Sequence, residues 1–391
     1  MRSRPIGSRP VHRSPRGTTM ASPSSRLPLR VAIVSDAAPE RNGVGTYYRD
    51  LAAHLEPRVQ ALTLLCPGSG QPLPHWLEMP LPGDATQRLG LPSPRRLQQR
   101  LAAFAPDVII VATPGPYGLL GARAARRLGA RLLFGLHTHY EALTGLYWGR
   151  VLAPLNRWWL AGTNRRLFRQ ADAVITNAPG MHRLAQELGA RRAHLLGTPL
   201  PRPFLERPPA ALQSPPRSVL FVGRLAAEKR VHAVIEAAER LPGLQFRIAG
   251  DGPERPWVDA AAARLPNLEA LGWLDRDAIL DALDSSDLLV LPSVVEAFGT
   301  VALEALARGR ITLAARGCGI LDWPELARGL HRIGAGENVA DALARVTALD
   351  PAVLAHKAGQ GRAAVLACAE SGITPWLDVL AGQAAGERRH A

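Results

Sequence analysis

The chain has 391 residues, 47% of them hydrophobic, and a formal net charge of +14 at pH 7. That length predicts two domains with separate cores, two Rossmann-like halves fitting best, and three scattered cysteines (Cys66, Cys318, Cys368) exclude a disulfide framework and point to the cytoplasm. No apolar run reads as a membrane-spanning helix, and the basic N-terminus lacks the apolar core of a secretory signal.

Residues 1–29 are rich in Arg, Ser and Pro, without an acid or an apolar period, and are expected to form a disordered basic tail. Two readings of this segment stay open: a start of translation at Met20, or a basic lipid-binding arm. From Arg30, short apolar runs at 31–35, 62–66, 107–112, 131–136 and 173–176 alternate with helical patterns, which predicts a parallel α/β domain over 30–203. The proline-dense stretch 198–217 interrupts regular structure, and 204–217 is taken as the linker. A second alternating series, with strands at 218–222, 244–249, 268–271, 287–291 and 311–314, predicts another α/β domain over 218–370. Pro292 ends the strand before it, since a proline cannot continue inside a sheet. Helical patterns close the chain, residues 371–391 holding a last helix and tail.

Chemistry concentrates at strand ends, the ligand edge of such sheets. In the first domain Gly43 permits close approach of an anion to a helix start. GVGTYY lacks the third glycine of a dinucleotide fingerprint, so a nicotinamide or flavin enzyme is not expected. His137 and His139 follow a buried strand, without the companions of a zinc motif. The segment from Tyr147 to Arg169 mixes Tyr147, Trp148, Trp158, Trp159 and Phe168 with Arg157, Arg165 and Arg169. It suits either an interfacial helix on an anionic bilayer or a core helix with a solvated basic face. Basic residues at Arg95, Arg96, Arg100, Arg123, Arg126 and Arg127 favour the membrane surface.

In the second domain Arg224 and Lys229 lie where a helix begins, an unfavourable place for cations unless an anion binds there. Gly250 and Asp251 form a turn between strand and helix. Asp275 and Asp277 have the look of a DxD metal motif, but capping and helix-start electrostatics account for both. Glu296 falls in the loop after the strand at 287–291, and Glu304 about one turn inside the next helix, with Thr300 as a possible cap. Carboxylates accept hydrogen bonds from vicinal hydroxyls, and helix-start amides at Phe298, Gly299 and Thr300 suit anionic oxygens. Together they fit a sugar nucleotide.

Three segments carry a family resemblance: Glu296-x7-Glu304, the GR-x4-K element holding Arg224 and Lys229, and the His-Thr pair at His137. They resemble retaining GT-B glycosyltransferases of family 4, nearest the members that glycosylate lipids. The resemblance implies two Rossmann-like, doubly wound domains facing each other across a cleft, braced by a final helix crossing back. It implies a UDP- or GDP-sugar donor, its diphosphate on Arg224, Lys229 and the loop at Asn42, Gly43 and Val44. Glu296 is then the sugar contact, Glu304 the ribose contact, and His137 lies beside the reacting centre. Gly272 to Leu274 line the base pocket. No metal and no cofactor are implied; the acceptor is a membrane lipid or glycolipid, with the protein peripheral on the inner face of the membrane. A soluble sugar or polysaccharide acceptor also fits. Other classes are a sugar-nucleotide epimerase and a basic nucleic-acid-binding protein; no nucleic-acid motif supports the latter. Arg308 and Arg310, flanking Gly309, and a shortened region after Gly319 depart from the family pattern.

Overall fold

The computed structural model describes residues 26–39, 43–68, 75–81, 84–139, 142 and 152–382. Residues 1–25, Asn42, Tyr147 and Trp148 lie outside this set. Strand β1 (Leu27–Val34) is followed by β2 (Val59–Leu65), β3 (His75–Leu81), β4 (Asp84–Pro92), β5 (Val108–Val111), β6 (Arg131–Leu136), β7 (Ala173–Thr176) and β8 (Ala193–Leu195). The second half supplies β9 (Ser218–Val222), β10 (Gln245–Ala249), β11 (Leu268–Gly272), β12 (Leu288–Leu291), β13 (Ile311–Ala314) and β14 (Leu330–Arg332). Because β1 begins at Leu27, the last three residues expected in the tail belong to the sheet instead.

Two six-stranded sheets result, in the orders β2-β1-β5-β6-β7-β8 and β11-β10-β9-β12-β13-β14, and every pair within them is parallel. The apolar runs are continuous because both faces of each strand are covered. Val31, Ile33, Val108 and Ile110 pack on one side of the first sheet, while Ala32, Val34, Ile109 and Val111 pack on the other. The antiparallel hairpin β3–β4 and the short edge strands β8 and β14 are absent from the sequence reading. Three residues are too few to show a period.

Strand order reverses between β1 and β5 in the first sheet and between β9 and β12 in the second. The chain therefore leaves adjacent strand ends toward opposite faces and opens a crevice at each point. Contacts between the halves come from that edge: Trp323, beyond β13, donates its indole N–H to the Asn177 carbonyl beyond β7 at 3.1 Å. The last helix, Thr374–Ala381, crosses back to the first sheet, where Trp376 is fully buried and Arg131 donates to the carbonyls of Leu380 (2.6 Å) and Val379 (3.1 Å). By length and composition the helical stretch Pro351–Ala381 could cross a bilayer. Here Leu354, Ala358, Val365, Trp376, Val379 and Leu380 are buried in protein.

The connection between the halves is pinned rather than loose. It contains a short helix, Arg202–Glu206, whose Phe204 is buried in the core. Arg308, with no exposed surface, donates to both carboxylate oxygens of Asp284 (2.8 and 2.9 Å). It also donates to the carbonyls of Phe204 (3.2 Å), Arg207 (2.6 Å) and Pro208 (2.8 Å). Arg310 reaches the carbonyls of Ala210 and Ser286. The two arginines that depart from the family pattern are thus linker anchors, since a buried guanidinium needs an oxygen for nearly every N–H. Replacing Arg308 by Met strands three carbonyls and leaves Asp284 the longer contact with Arg207 at 3.5 Å, and is expected to lower the unfolding free energy by about 3–5 kcal/mol in a urea titration. Arg255→Ala, at an exposed pair with Asp259, should barely move the midpoint, and equal effects would contradict the anchoring role.

Candidate functional site

The loops after β9 and β12 emerge side by side because those strands pair, Leu288 with Val219 and Leu289 with Leu220. The β9 loop runs through Gly223 and Arg224 to a single helical turn, Ala227–Lys229, before the helix Val231–Arg240. The β12 loop carries Glu296. Lys229 Nζ and Glu296 Oε2 form a direct ion pair, each side chain just under one-fifth exposed. Burial works against the Lys229 charge, but Glu296 and Glu228 outweigh it and hold the ammonium above its ordinary range. Arg224 lies 3.5 Å from Glu228, whose side chain is buried. Two cations and two carboxylates therefore meet at the switch point of the second sheet.

Glu296 is fixed by its backbone, which donates to the Gly317 carbonyl (3.0 Å) and accepts from Gly319 N–H (2.9 Å). Phe298 is buried, its carbonyl accepting from Ile320 N–H at 2.7 Å. Gly299, with φ of 100°, caps the helix Thr300–Ala307; Thr300 is its first residue and not the cap, a correction to the sequence reading. The left-handed geometry turns the chain from loop to helix within one residue, and a Cβ there would meet Leu291 at 2.9 Å.

Gly250, at φ 145°, answers to packing: a Cβ would fall 1.8 Å from the Gly223 carbonyl oxygen, so the two turns touch backbone to backbone. Asp251 is exposed, and its carboxylate accepts from Gly252 N–H at 2.9 Å. Asp275 accepts from Ala278 N–H at 2.8 Å, the capping role expected of it.

Glu304 is buried and holds a partner that sequence reasoning missed. Arg276 Nη1 pairs with Glu304 Oε1, and Arg276 Nη2 donates to Asp50 Oδ2 of the first domain at 2.8 Å. Burial pushes the Glu304 carboxyl above its ordinary range, with Arg276 opposing the push. The Arg276 guanidinium also lies 4.7 Å from the centre of the Phe204 ring in the linker. Its only sequence signal is a charge beside a capping aspartate.

In the first domain Gly43 opens the helix Gly43–Leu55, and nothing among the described residues lies within 4 Å of where its side chain would stand. His137 follows β6 and is nearly buried, its Nε2 3.0 Å from the Tyr48 hydroxyl and its ring 4.3 Å from that of Tyr47. Burial, opposed by Asn177, brings its pKa down to about 4, so the imidazole is neutral at pH 7 and serves as a polar, uncharged group. No hydrogen bond or ion pair among the described residues joins His137 to the Lys229–Glu296 cluster. A cavity of about 770 Å³ beside β14, lined by His331, Arg332, Arg345 and Lys357 among others, contains none of these residues.

Because the folded pKa of His137 lies below the ordinary value, its contribution to stability is complete above about pH 6.5 and is lost as pH falls toward 4. Between pH 7 and 5 the chain is expected to lose about 2 kcal/mol more than its His137→Asn variant. Urea unfolding at both pH values measures this; equal losses would show that the imidazole titrates as freely folded as unfolded.

Two family models match: Glycosyltransferase Family 4 over residues 41–201 and Glycosyl transferases group 1 over residues 205–328. A GDP-mannose-dependent alpha-mannosyltransferase of Mycolicibacterium smegmatis is 30% identical over 316 residues, covering 72% of this chain and 78% of that protein. A glycogen synthase of Mycobacterium tuberculosis is 37% identical over 172 residues, covering 39% of this chain and 41% of the synthase. Against that synthase the match spans only about two-fifths of its length. Among solved structures, sucrose-phosphate synthase from Thermosynechococcus elongatus superposes with a TM-score of 0.70 at 18% identity, covering 92% of this chain and all of that one. Anabaena HepE in complex with UDP and glucose superposes with a TM-score of 0.64 at 18% identity, covering 90% and 99%. The fold is GT-B, and the chain belongs to the family 4 glycosyltransferases.

Proposed function

We propose that the chain is a hexosyltransferase that moves a sugar from UDP- or GDP-hexose to a membrane lipid or glycolipid, with retention of anomeric configuration. The observation that carries the reading is the Lys229–Glu296 pair at the switch point, beside Arg224 and Glu228. A diphosphate arriving there finds two cations already placed, and it competes with Glu296 for the Lys229 ammonium. Released from that pair, Glu296 accepts hydrogen bonds from sugar hydroxyls, while Glu304 takes the ribose. Gly250 and Asp251 line the turn beside the diphosphate, and Phe298, Gly299 and Thr300 set a helix start toward the sugar and phosphate oxygens. Gly43 offers another helix start from across the cleft.

In this reading Arg224 and Lys229 stabilise the charge that grows on the departing diphosphate, and no metal or cofactor is called on. The acceptor hydroxyl attacks the anomeric carbon on the face the diphosphate leaves, the bond from that carbon to the leaving oxygen breaks, and the hydroxyl proton passes to a departing phosphate oxygen. No side chain acts as a covalent nucleophile. Neutral His137 sits on the acceptor side as a hydrogen-bonding group.

The lipid acceptor draws support from the helix Leu152–Gln170, where Trp158, Trp159 and Leu155 are exposed together with Arg157, Arg165 and Arg169. Phe168, by contrast, is fully buried against Phe134, which removes it from the surface group. The helix Pro116–Leu128 contacts both this helix and Pro94–Phe104, and adds exposed Arg123, Arg126 and Arg127 to the same flank. Exposed tryptophans beside arginines suit the interface of an anionic, inner-leaflet bilayer.

A panel of UDP- and GDP-hexoses with lipid extracts as acceptors tests the reading. Nucleoside diphosphate should be released from one donor class, with an α-linked glycolipid seen by proton NMR when the donor is α-linked. Flotation on anionic vesicles should weaken when Trp158 and Trp159 are both changed to Ala. Turnover only with soluble sugars, or flotation unchanged in the double variant, would overturn the lipid acceptor. Epimerised donor without transfer would overturn the reaction class.

A further inference from the structure

Arg276 stands where three parts of the chain meet. Its guanidinium bonds Glu304 in the second domain and Asp50 in the first, and rests over Phe204 of the linker. Its side chain is 16% exposed, those of Asp50 and Glu304 6% and 3%. Asp50 lies on the helix that Gly43 opens, so the arginine ties a carboxylate of the second domain to the element that brings Gly43 toward the cleft. Only Oε1 of Glu304 is engaged by Arg276, which leaves the other oxygen able to accept.

We propose that Arg276 is a positioning residue that makes seating of the donor ribose and closure of the two domains a single event. This rests on the reading of Glu304 as the ribose contact. With Arg276 in place, Glu304 is aimed and its charge is favoured against the cost of burial, and the same cation draws Asp50, with its helix, onto the second domain. Without it, two nearly buried carboxylates face each other across the interface, offset only in part by Arg49 at 3.7 Å from Asp50. Their repulsion favours separated domains, and a proton on Glu304 weakens it as an acceptor. Arg276 touches neither the sugar nor the diphosphate; it acts through Glu304 and Asp50.

The test uses the full chain, calorimetric titration with UDP and with GDP, and steady-state turnover with the active donor. Arg276→Gln should weaken binding of the preferred nucleotide about tenfold or more, and Arg276→Lys should restore much of it, since one charged hydrogen bond carries that much affinity. Asp50→Asn keeps the Glu304 contact but loses the charged crossing. It should lower kcat and weaken nucleotide binding by about threefold, short of the Arg276→Gln loss, and with an unchanged unfolding midpoint that graded pair is not what a loss of folding would produce. Should Glu304→Gln weaken nucleotide binding while Arg276→Gln does not, the positioning role is overturned and the ribose contact stands. Unchanged affinity in Glu304→Gln would remove the ribose contact and the inference with it. Unchanged kcat in Asp50→Asn would overturn the coupling to closure.

Discussion

The pairing of β9 with β12 is the constraint from which the site follows. Parallel strands that neighbour each other but lie apart in sequence must send their connections to opposite faces, and the loops at their ends part around a crevice. In this chain those loops carry Arg224 and Lys229 on one side and Glu296 on the other. Lys229 and Glu296 are 67 residues apart, yet the strand register leaves them in direct contact. A cation and an anion placed together at a partly buried edge hold each other until a ligand offers both a better partner, the role proposed for a phosphorylated sugar.

Burial sets the terms for the other charges. Arg308 and Arg310 surround themselves with carbonyl and carboxylate oxygens, and in doing so convert a proline-rich connection into a defined joint. Arg276 meets the same requirement with groups from both domains: its pair with Glu304 lies within the second, and its pair with Asp50 exists only while the domains touch. Ion pairs across such an interface bind less tightly than an apolar core of the same area. His137 takes the opposite course: with two tyrosines around it, it stays neutral.

Much of this was legible in the sequence, and the reasons are physical. Central parallel strands announce themselves as apolar runs because both faces are covered, which is why the two series of strands could be placed and the glycine turns after β9 and β10 read as ligand-facing edges. The edge strands β8 and β14 and the β3–β4 hairpin carry no such signal, being short or irregular in pattern. Arg276, Arg308 and Arg310 were invisible as contacts because their tertiary partners lie between 24 and 226 residues away, on elements whose approach only the tertiary fold decides. The latter two stand out in the sequence only as departures from the family pattern, and the fold shows them to be buried anchors of the linker. Phe168 misled for a related reason: one helix carries a buried face and an exposed aromatic one, and composition cannot tell which aromatic falls where.

The chain belongs to the family 4 glycosyltransferases, and the central claim of the proposed function is that the diphosphate of the donor sits on Lys229 and Arg224. Calorimetric titration of the preferred nucleotide sugar into the native chain and into Lys229→Met tests it most directly. The expected result is saturable binding by the native chain and a loss of about a hundredfold in the variant, the worth of a charge-assisted contact to phosphate in a partly buried site. Equal affinity in the two proteins would contradict it.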